Sequence, residues 1–219
     1  MLRFVAAALF AAFAVPASAA IVTPTTATTS TNFSFTYRGA NTINGSGLST
    51  VGDPAATHAP YSSTTNGNHW TTANGDVASA WIRWGFSSLV DFGGLYIWNH
   101  QSTFPGLADN GGYEPITFDL SVSDDTTTLA SWSGLSLAPD TNLSQAFSLT
   151  TPISGVRFVT FTVVETQNPF TPYTGLAEVL ISDTAIAGAT ALSPVPLPAS
   201  GLLLLAALGG AGLARRRRT

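Results

Sequence analysis

Three histidines, His58, His69 and His100, are the side chains best suited to bind a metal ion or to exchange a proton near neutral pH. They are widely separated, and each lies in a stretch rich in Gly, Asn, Ser or Thr that predicts a loop. The pattern His-Glu-x-x-His, which puts two imidazoles on one helix face, does not occur. We therefore interpret the three histidines as exposed, separate loop residues with no shared metal or catalytic role.

Hydrolytic chemistry has no recognisable motif in this sequence. The Gly-x-Ser-x-Gly turn that exposes a serine nucleophile is absent. A glycosidase needs two carboxylates flanking a sugar. Glu114, Glu165, Glu178 and the aspartates could supply a pair, but no spacing singles one out. We predict a protein that is not an enzyme, and a secreted carbohydrate-active enzyme is the alternative.

The charge and the cysteine content of the chain exclude nucleic-acid binding, disulfide bonds and thiolate metal sites. All 12 acidic residues lie within residues 20–192, together with only three of the eight basic residues, so this part carries a net charge of −9 and no lysine. A nucleic-acid-binding protein needs a basic surface, so no nucleic-acid partner is expected. The chain has no cysteine, so neither a disulfide nor a thiolate metal site can form.

Alternating apolar and polar residues indicate that residues 20–192 are all-β. In "PITFDLSVSDD", Ile116, Phe118, Leu120 and Val122 share one face, and the two final aspartates predict a turn. The other predicted strands are "NFSFTY", "SAWIRWGF", "GLYIWN", "QAFSLT", "GVRFVTFTVV" and "GLAEVLIS". Many short strands favour a jelly-roll-like antiparallel β-sandwich. Large side chains on both faces make "GVRFVTFTVV" a central strand.

The segments between these strands are predicted to be turns and loops. The glycine pair Gly93-Gly94 predicts a turn between "SAWIRWGF" and "GLYIWN". Residues 38–76 are rich in Gly, Asn, Ser and Thr with little periodicity, so we expect long loops there.

Residues 1–19 have the pattern of a secretory signal peptide. Arg3 precedes an apolar run over residues 4–15, and Ala17-Ser18-Ala19 is a small-residue site of the kind that signal peptidase accepts. We therefore expect an N-terminal signal helix that is removed during export, leaving a body over residues 20–192. An uncleaved membrane helix is the alternative.

The end of the chain combines prolines, an apolar stretch and a basic cluster. Residues 199–214 form 16 consecutive uncharged positions. As a helix they would be about 24 Å long, slightly less than the hydrocarbon core of a bilayer. The four arginines that follow would stay on the cytoplasmic side; they are Arg215, Arg216, Arg217 and Arg218. An ordinary C-terminal membrane anchor is the alternative to the interpretation given next.

This order of motif, apolar helix and basic end resembles the sorting signal of PEP-CTERM proteins in its Val-Pro-Leu-Pro-Ala variant. The matching residues are Val195, Pro196, Leu197, Pro198 and Ala199. The resemblance implies a sorting tail over residues 193–219 with a transmembrane helix over 199–214. It also implies recognition by an exosortase at the inner membrane of a Gram-negative bacterium. The processed protein would then reach the cell surface or extracellular matrix, where the family is associated with exopolysaccharide and biofilm.

The order of the later strands resembles the discoidin or galactose-binding-like domain. "LYIWN", "FDLSVSDD", "SGVRFVTFTV" and "GLAEVLI" follow one another as in that family, over about residues 66–182. The resemblance implies loops at one end of the sandwich that bind carbohydrate through aromatic rings and a few polar groups. The candidate ligand-binding residues are His69, Trp70, His100, Tyr113 and Tyr173.

The same resemblance implies a structural calcium ion between loops. Glu178 in "GLAEVLI" matches a late acidic ligand of that family, and Asp53 or Asp76 could lie nearby. A surface carboxylate on an edge strand is the alternative for Glu178. Together these features predict an exported β-sandwich that binds extracellular polysaccharide, with one structural Ca²⁺. A purely structural matrix protein is the remaining alternative.

Overall fold

A computed structural model describes residues 20–60, 67–77, 79–101 and 112–193. Nine strands and two 3-10 helices lie in these residues. The strands are β1 (Ile21–Val22), β2 (Thr26–Thr29), β3 (Trp70–Thr71), β4 (Trp81–Asn99), β5 (Pro115–Ser123), β6 (Thr128–Ser136), β7 (Gln145–Thr166), β8 (Gly175–Ser182) and β9 (Thr190–Ala191). The 3-10 helices span Phe35–Tyr37 and Gly39–Ile43. All of the strand pairs are antiparallel except β7 with β9.

Strands β4 and β7 bend, so that each contributes to two packed layers. The first part of β4 pairs with β2 and with the second part of β7, to which β5 and β6 are added. The second part of β4 pairs with β8 and with the first part of β7. Register shifts between Gly85 and Gly94 mark the bend in β4. The predicted all-β antiparallel sandwich is confirmed.

The core lies between these layers and is rich in aromatic rings. Phe118 on β5 meets Phe147 from the first part of β7 edge to face, with ring centroids 5.3 Å apart. Phe92 on β4 lies 6.2 Å from Trp132 on β6. All four side chains are buried. These contacts hold one layer against the other.

Two predicted strands, β5 and β8, match the structure. Phe118, Leu120 and Val122 on β5 are buried, as their alternation predicts. The turn after β5 is held by Asp124, whose Oδ1 accepts the main-chain N–H groups of Thr126 and Thr127. "GLAEVLIS" coincides with β8.

The predicted turn at Gly93-Gly94 is wrong, because β4 runs through both glycines. A Cβ atom at Gly93 would clash with the main chain of Thr184, which crosses the strand at this point. The glycine therefore allows a close approach of two segments instead of a reversal of the chain. "QAFSLT" and "GVRFVTFTVV" likewise belong to one strand, β7, which lies between β4 and β5. The predicted central position is thus confirmed.

The predicted strand "NFSFTY" is also wrong. Ser34 accepts a hydrogen bond from the Thr36 N–H and caps a 3-10 turn over Phe35–Tyr37. Local side-chain bonding of this kind competes with strand formation. The predicted loops over residues 38–76 contain the second 3-10 helix, a bridge between Leu48 and His58, and β3.

The predicted signal helix over 1–19, the motif at 195–199, the helix over 199–214 and the arginines at 215–218 lie outside the described residues. Within the described ranges, no helix has the length and apolar character needed to cross a membrane.

Candidate functional site

The three histidines meet inside the protein. The ring of His69 lies beside those of His58 and His100, with centroid distances of 5.0 Å and 4.9 Å. All three side chains are buried. His69 directly precedes β3 and His100 directly follows β4, and both of these strands pair with β8. The prediction of separate, exposed histidines is therefore wrong.

Protein oxygens lie within hydrogen-bonding distance of each ring. In His58, Nδ1 lies 2.7 Å from the Ala59 carbonyl oxygen and Nε2 lies 3.1 Å from that of Ser46. Because carbonyl oxygens only accept, a neutral His58 donates to one of the two. Nδ1 of His69 lies 2.9 Å from Asn68 Oδ1, and Nε2 of His100 lies 3.0 Å from Thr71 Oγ1.

Burial makes the three rings neutral at neutral pH. It lowers the pKa of His58, and the two carbonyl partners oppose this effect. Burial, reinforced by the charges that His100 and His58 would carry, holds the pKa of His69 well below its ordinary value. Burial, followed by the effect of His58, lowers the pKa of His100 to about 3. The histidine cluster is therefore a packed, uncharged element that acid would have to charge.

Aromatic contacts continue from this cluster to the protein surface. The ring of Tyr113 lies 5.8 Å from His100 and 5.3 Å from Tyr173. Phe33 lies 5.3 Å from Tyr173, and all three contacts are edge to face. Tyr113 and Tyr173 are half-buried, and Phe33 is 50% exposed. We call Phe33, Tyr113 and Tyr173 the aromatic rim.

Polar groups and a groove lie beside the aromatic rim. The Asn74 side-chain amide donates to the hydroxyl of Tyr173 at 3.3 Å. The next residue, Gly75, donates its N–H to the Pro172 carbonyl at 2.8 Å and lines a groove of about 570 Å³. Val77, Ile116, Val164, Glu165, Thr166, Gln167, Pro169 and Thr171 line the remainder. This end of the sandwich thus combines exposed ring surface, hydroxyl and amide groups, and a concave surface.

The chain matches no protein-family model and no curated protein sequence. Many solved structures are similar to it, including the following three. One is the F5/8 type C domain of a Bacteroides fragilis protein, with 14% identity, a TM-score of 0.49, and coverage of 78% of this chain and 100% of that one. The second is the family 32 carbohydrate-binding module of C. perfringens NanJ in complex with galactose, with 12% identity, a TM-score of 0.46, and 72% and 92% coverage. The third is the CBM32 of AlyQ in complex with 4,5-unsaturated mannuronic acid, with 18% identity, a TM-score of 0.47, and 74% and 97% coverage.

Sequence identities of 12–18% do not show which ligand this chain binds. The ligand must therefore be inferred from the residues of this chain. Of the candidate ligand-binding residues, His69, His100, Tyr113 and Tyr173 lie in one continuous row of rings, but only the two tyrosines reach the surface. Trp70 is fully buried, and its indole N–H donates to the Thr31 carbonyl at 2.9 Å. It therefore contributes to the core.

Sequence reasoning missed Phe33 as part of this surface. The alternation in "NFSFTY" suggested a strand that buries Phe33. The capping serine at position 34 was the available signal for a turn instead.

The three residues predicted to hold calcium, Glu178, Asp53 and Asp76, differ in their surroundings, and calcium binding by them stays a prediction. Glu178 is 1% exposed on β8, which lies between β4 and the short strands β1 and β3. The alternative of a surface carboxylate on an edge strand is therefore wrong. Oε2 of Glu178 accepts the Gly45 N–H at 3.0 Å. Asp53 is exposed and accepts the Ala55 N–H, and Asp76 is exposed. No group of three or more His, Cys, Asp or Glu in the described ranges could hold a metal ion.

The Glu178 carboxyl group is buried, and its surroundings change its pKa. Loss of hydration raises its pKa to about 8, and main-chain hydrogen bonds from Gly45 and Val179 oppose the shift. The carboxyl group is therefore protonated at neutral pH. Its contact with Gly45 joins β8 to the loop that follows the 3-10 helix at Gly39–Ile43.

Proposed function

We propose that this body is a non-catalytic carbohydrate-binding module and that the aromatic rim is its contact surface. The observation that carries this proposal is the aromatic rim, in which Phe33 and Tyr113 both meet Tyr173 edge to face and all three side chains are partly open to solvent. The apolar face of a sugar ring packs against aromatic rings, and hydroxyl and amide groups fix its orientation. The Tyr173 hydroxyl and the Asn74 amide supply such groups beside the rings.

Charge narrows the class of glycan. The body carries a formal net charge of −9 when every carboxyl group is counted as ionised, and it stays strongly acidic with Glu178 protonated. A strongly acidic protein repels polyanions over several ångströms of solution. The groove beside the rim adds the carboxylate of Glu165. We therefore expect neutral glycans to bind in preference to polyanionic ones.

We also propose that the protein is exported and sorted to the surface. The pattern of residues 1–19 supports removal by signal peptidase, and the proline motif, apolar stretch and arginines of residues 195–218 support recognition by an exosortase at the inner membrane. The body would then act at the cell surface or in the extracellular matrix, in contact with exopolysaccharide.

A glycan array probed with the purified full-length protein in detergent tests the binding proposal. The parent is expected to bind neutral glycans, and the double variant Tyr113→Ala/Tyr173→Ala is expected to lose them. Tyr96→Ala is the matched control, because Tyr96 is a half-buried tyrosine on β4 that is not part of the aromatic rim. Absence of any bound glycan, or equal binding by the parent and the double variant, would contradict the proposal.

A further inference from the structure

A second group of polar side chains begins at Glu114, the residue that follows Tyr113 in the chain, and does not include Glu178. Glu114 accepts the Asp140 N–H through its Oε2 at 3.0 Å. The Gln167 side-chain amide donates to Asp140 Oδ2 at 2.9 Å, and the Gln167 N–H donates to the Glu114 carbonyl at 2.9 Å. Three segments that are distant in the sequence thus meet at one point. We call Glu114, Asp140 and Gln167 the Glu114 cluster.

Glu114 is the residue of this cluster that points to a ligand. Its side chain is only 1% exposed. Its second carboxyl oxygen, Oε1, is buried and has no hydrogen-bond partner among the described residues. The side-chain oxygen of Gln167, Oε1, is also buried and also has no hydrogen-bond partner among the described residues. A buried carboxylate oxygen without a partner loses its hydration, and no hydrogen bond offsets that cost. Native proteins therefore rarely leave such an oxygen unsatisfied.

Arginines of the described part are engaged elsewhere. Arg157 pairs with Asp125 at 3.1 Å, Arg83 donates to Thr160 at 3.2 Å, and Arg38 lies over the ring of Phe35. The Glu114 cluster thus combines two carboxyl groups with a buried carboxyl oxygen and a buried amide oxygen that have no hydrogen-bond partner among the described residues.

We propose that the Glu114 cluster binds one hard divalent cation, with Ca²⁺ as the probe, through the Glu114 and Asp140 carboxylates and the Gln167 amide oxygen. Carboxylate and amide oxygens are the ligands that Ca²⁺ takes, and water completes its coordination. The bound ion would neutralise the two carboxylates and join the segments around residues 112–114, 139–140 and 166–168. Because Gln167 also lines the groove, the ion would set the shape of the groove wall.

Thermal unfolding of the purified full-length protein, first stripped with EDTA and then supplied with CaCl₂, tests this site. At a calcium concentration one hundred times the Kd, the Tm is expected to rise by about 5–10 °C for a domain of this size. Glu114→Gln keeps the shape of the side chain and removes its charge, so it is expected to abolish the rise. Gln167→Ala is a second variant at a half-buried position and is expected to weaken calcium binding about tenfold or more.

Two matched carboxylate variants serve as controls. Glu165→Gln changes an exposed residue whose carboxylate accepts from Thr117, and Glu178→Gln changes the other deeply buried glutamate. Both are expected to keep the calcium response of the parent. If the Tm of the parent does not change when calcium is added, the proposal is overturned. It is also overturned if the rise in Tm persists in Glu114→Gln, or if only Glu178→Gln loses it. If Glu114→Gln does not fold, an unchanged response in Gln167→Ala overturns it.

Discussion

His69 and His100 lie with their ring centroids 4.9 Å apart, and neither side chain is reached by solvent. Both are neutral in the folded protein because burial lowers their pKa values. In the unfolded chain each ring regains an ordinary pKa near 6.5. The contact therefore links folding to proton release.

The first prediction is that acid destabilises the fold through this pair. Between the unfolded pKa of 6.5 and the folded pKa of about 3 for His100, the unfolded state binds the extra proton, so stability falls as the pH decreases. The slope for one such group is about 1.4 kcal/mol per pH unit. His100→Gln can keep a hydrogen bond to Thr71 and removes this dependence.

The measurement is urea unfolding at pH values below 4.5, the ordinary pKa of a glutamate in the unfolded chain. In this pH range the buried glutamates Glu114 and Glu178 are protonated in both the folded and the unfolded state. The free energy of unfolding should decrease less steeply with acid in His100→Gln than in the parent. Parallel curves for the two proteins would show that His100 is not neutral in the fold.

The second prediction concerns Glu178 and has the opposite sign. Its folded pKa of about 8 lies above its ordinary value of 4.5, so the folded state binds the extra proton between these values. Stability from this group is complete below the lower value and is lost as the pH rises towards the upper one. Glu178→Gln lacks the titration, so its stability relative to the parent should increase between about pH 5 and about pH 8. The free energy of unfolding of both proteins in EDTA measures this, and a constant difference across the range would refute it.

The third prediction concerns the contact between the two layers. Phe118 on β5 is fully buried and meets Phe147 of the other layer edge to face, with ring centroids 5.3 Å apart. Phe118→Ala is expected to cost about 3–5 kcal/mol in the free energy of unfolding. Phe170→Ala is the matched control, because Phe170 is 90% exposed, and it should change stability by less than about 0.5 kcal/mol. Equal costs for the two variants would mean that Phe118 does not pack between the layers.

The sequence predicted the strands whose side chains alternate and missed the features that depend on distant contacts. β5 alternates cleanly and was predicted well, because one of its faces meets the core and the other does not. The strand through Gly93 was mistaken for a turn, since the reason for glycine there is the crossing of Thr184. Nothing local in the sequence reveals such a crossing.

In the candidate site, too, some features could be predicted from local sequence and others depend on contacts between distant segments. Tyr113 and Tyr173 were predicted from their place in loops, and they do meet at the surface. The burial of His58, His69 and His100 could not be predicted from local sequence. For His69 and His100 it results from the pairing of β3 and β4 with β8. Glu178 was predicted by resemblance as a calcium ligand, but its burial by the pairing of β8 on both sides could not be predicted from local sequence.

The fourth prediction concerns processing of the C-terminal tail. If an exosortase removes the tail, mass spectrometry of exported protein should find no peptide that contains Leu202 to Arg218. Replacing Arg215–Arg218 with neutral residues should reduce processing, because the arginines hold the cytoplasmic end of the apolar stretch. Full-length protein retained in the membrane as the only species would contradict sorting by this tail.

The central claim is that the aromatic rim binds glycan, and calorimetric titration of one array-selected neutral oligosaccharide tests it most directly. The parent, Tyr173→Ala and the control Tyr96→Ala are compared after near-UV circular dichroism confirms that each is folded. Loss of the Tyr173 ring contact and hydroxyl is expected to raise the Kd about tenfold or more. Tyr96→Ala is expected to keep the Kd of the parent. An unchanged Kd in Tyr173→Ala, or an equal loss in Tyr96→Ala, would contradict the claim.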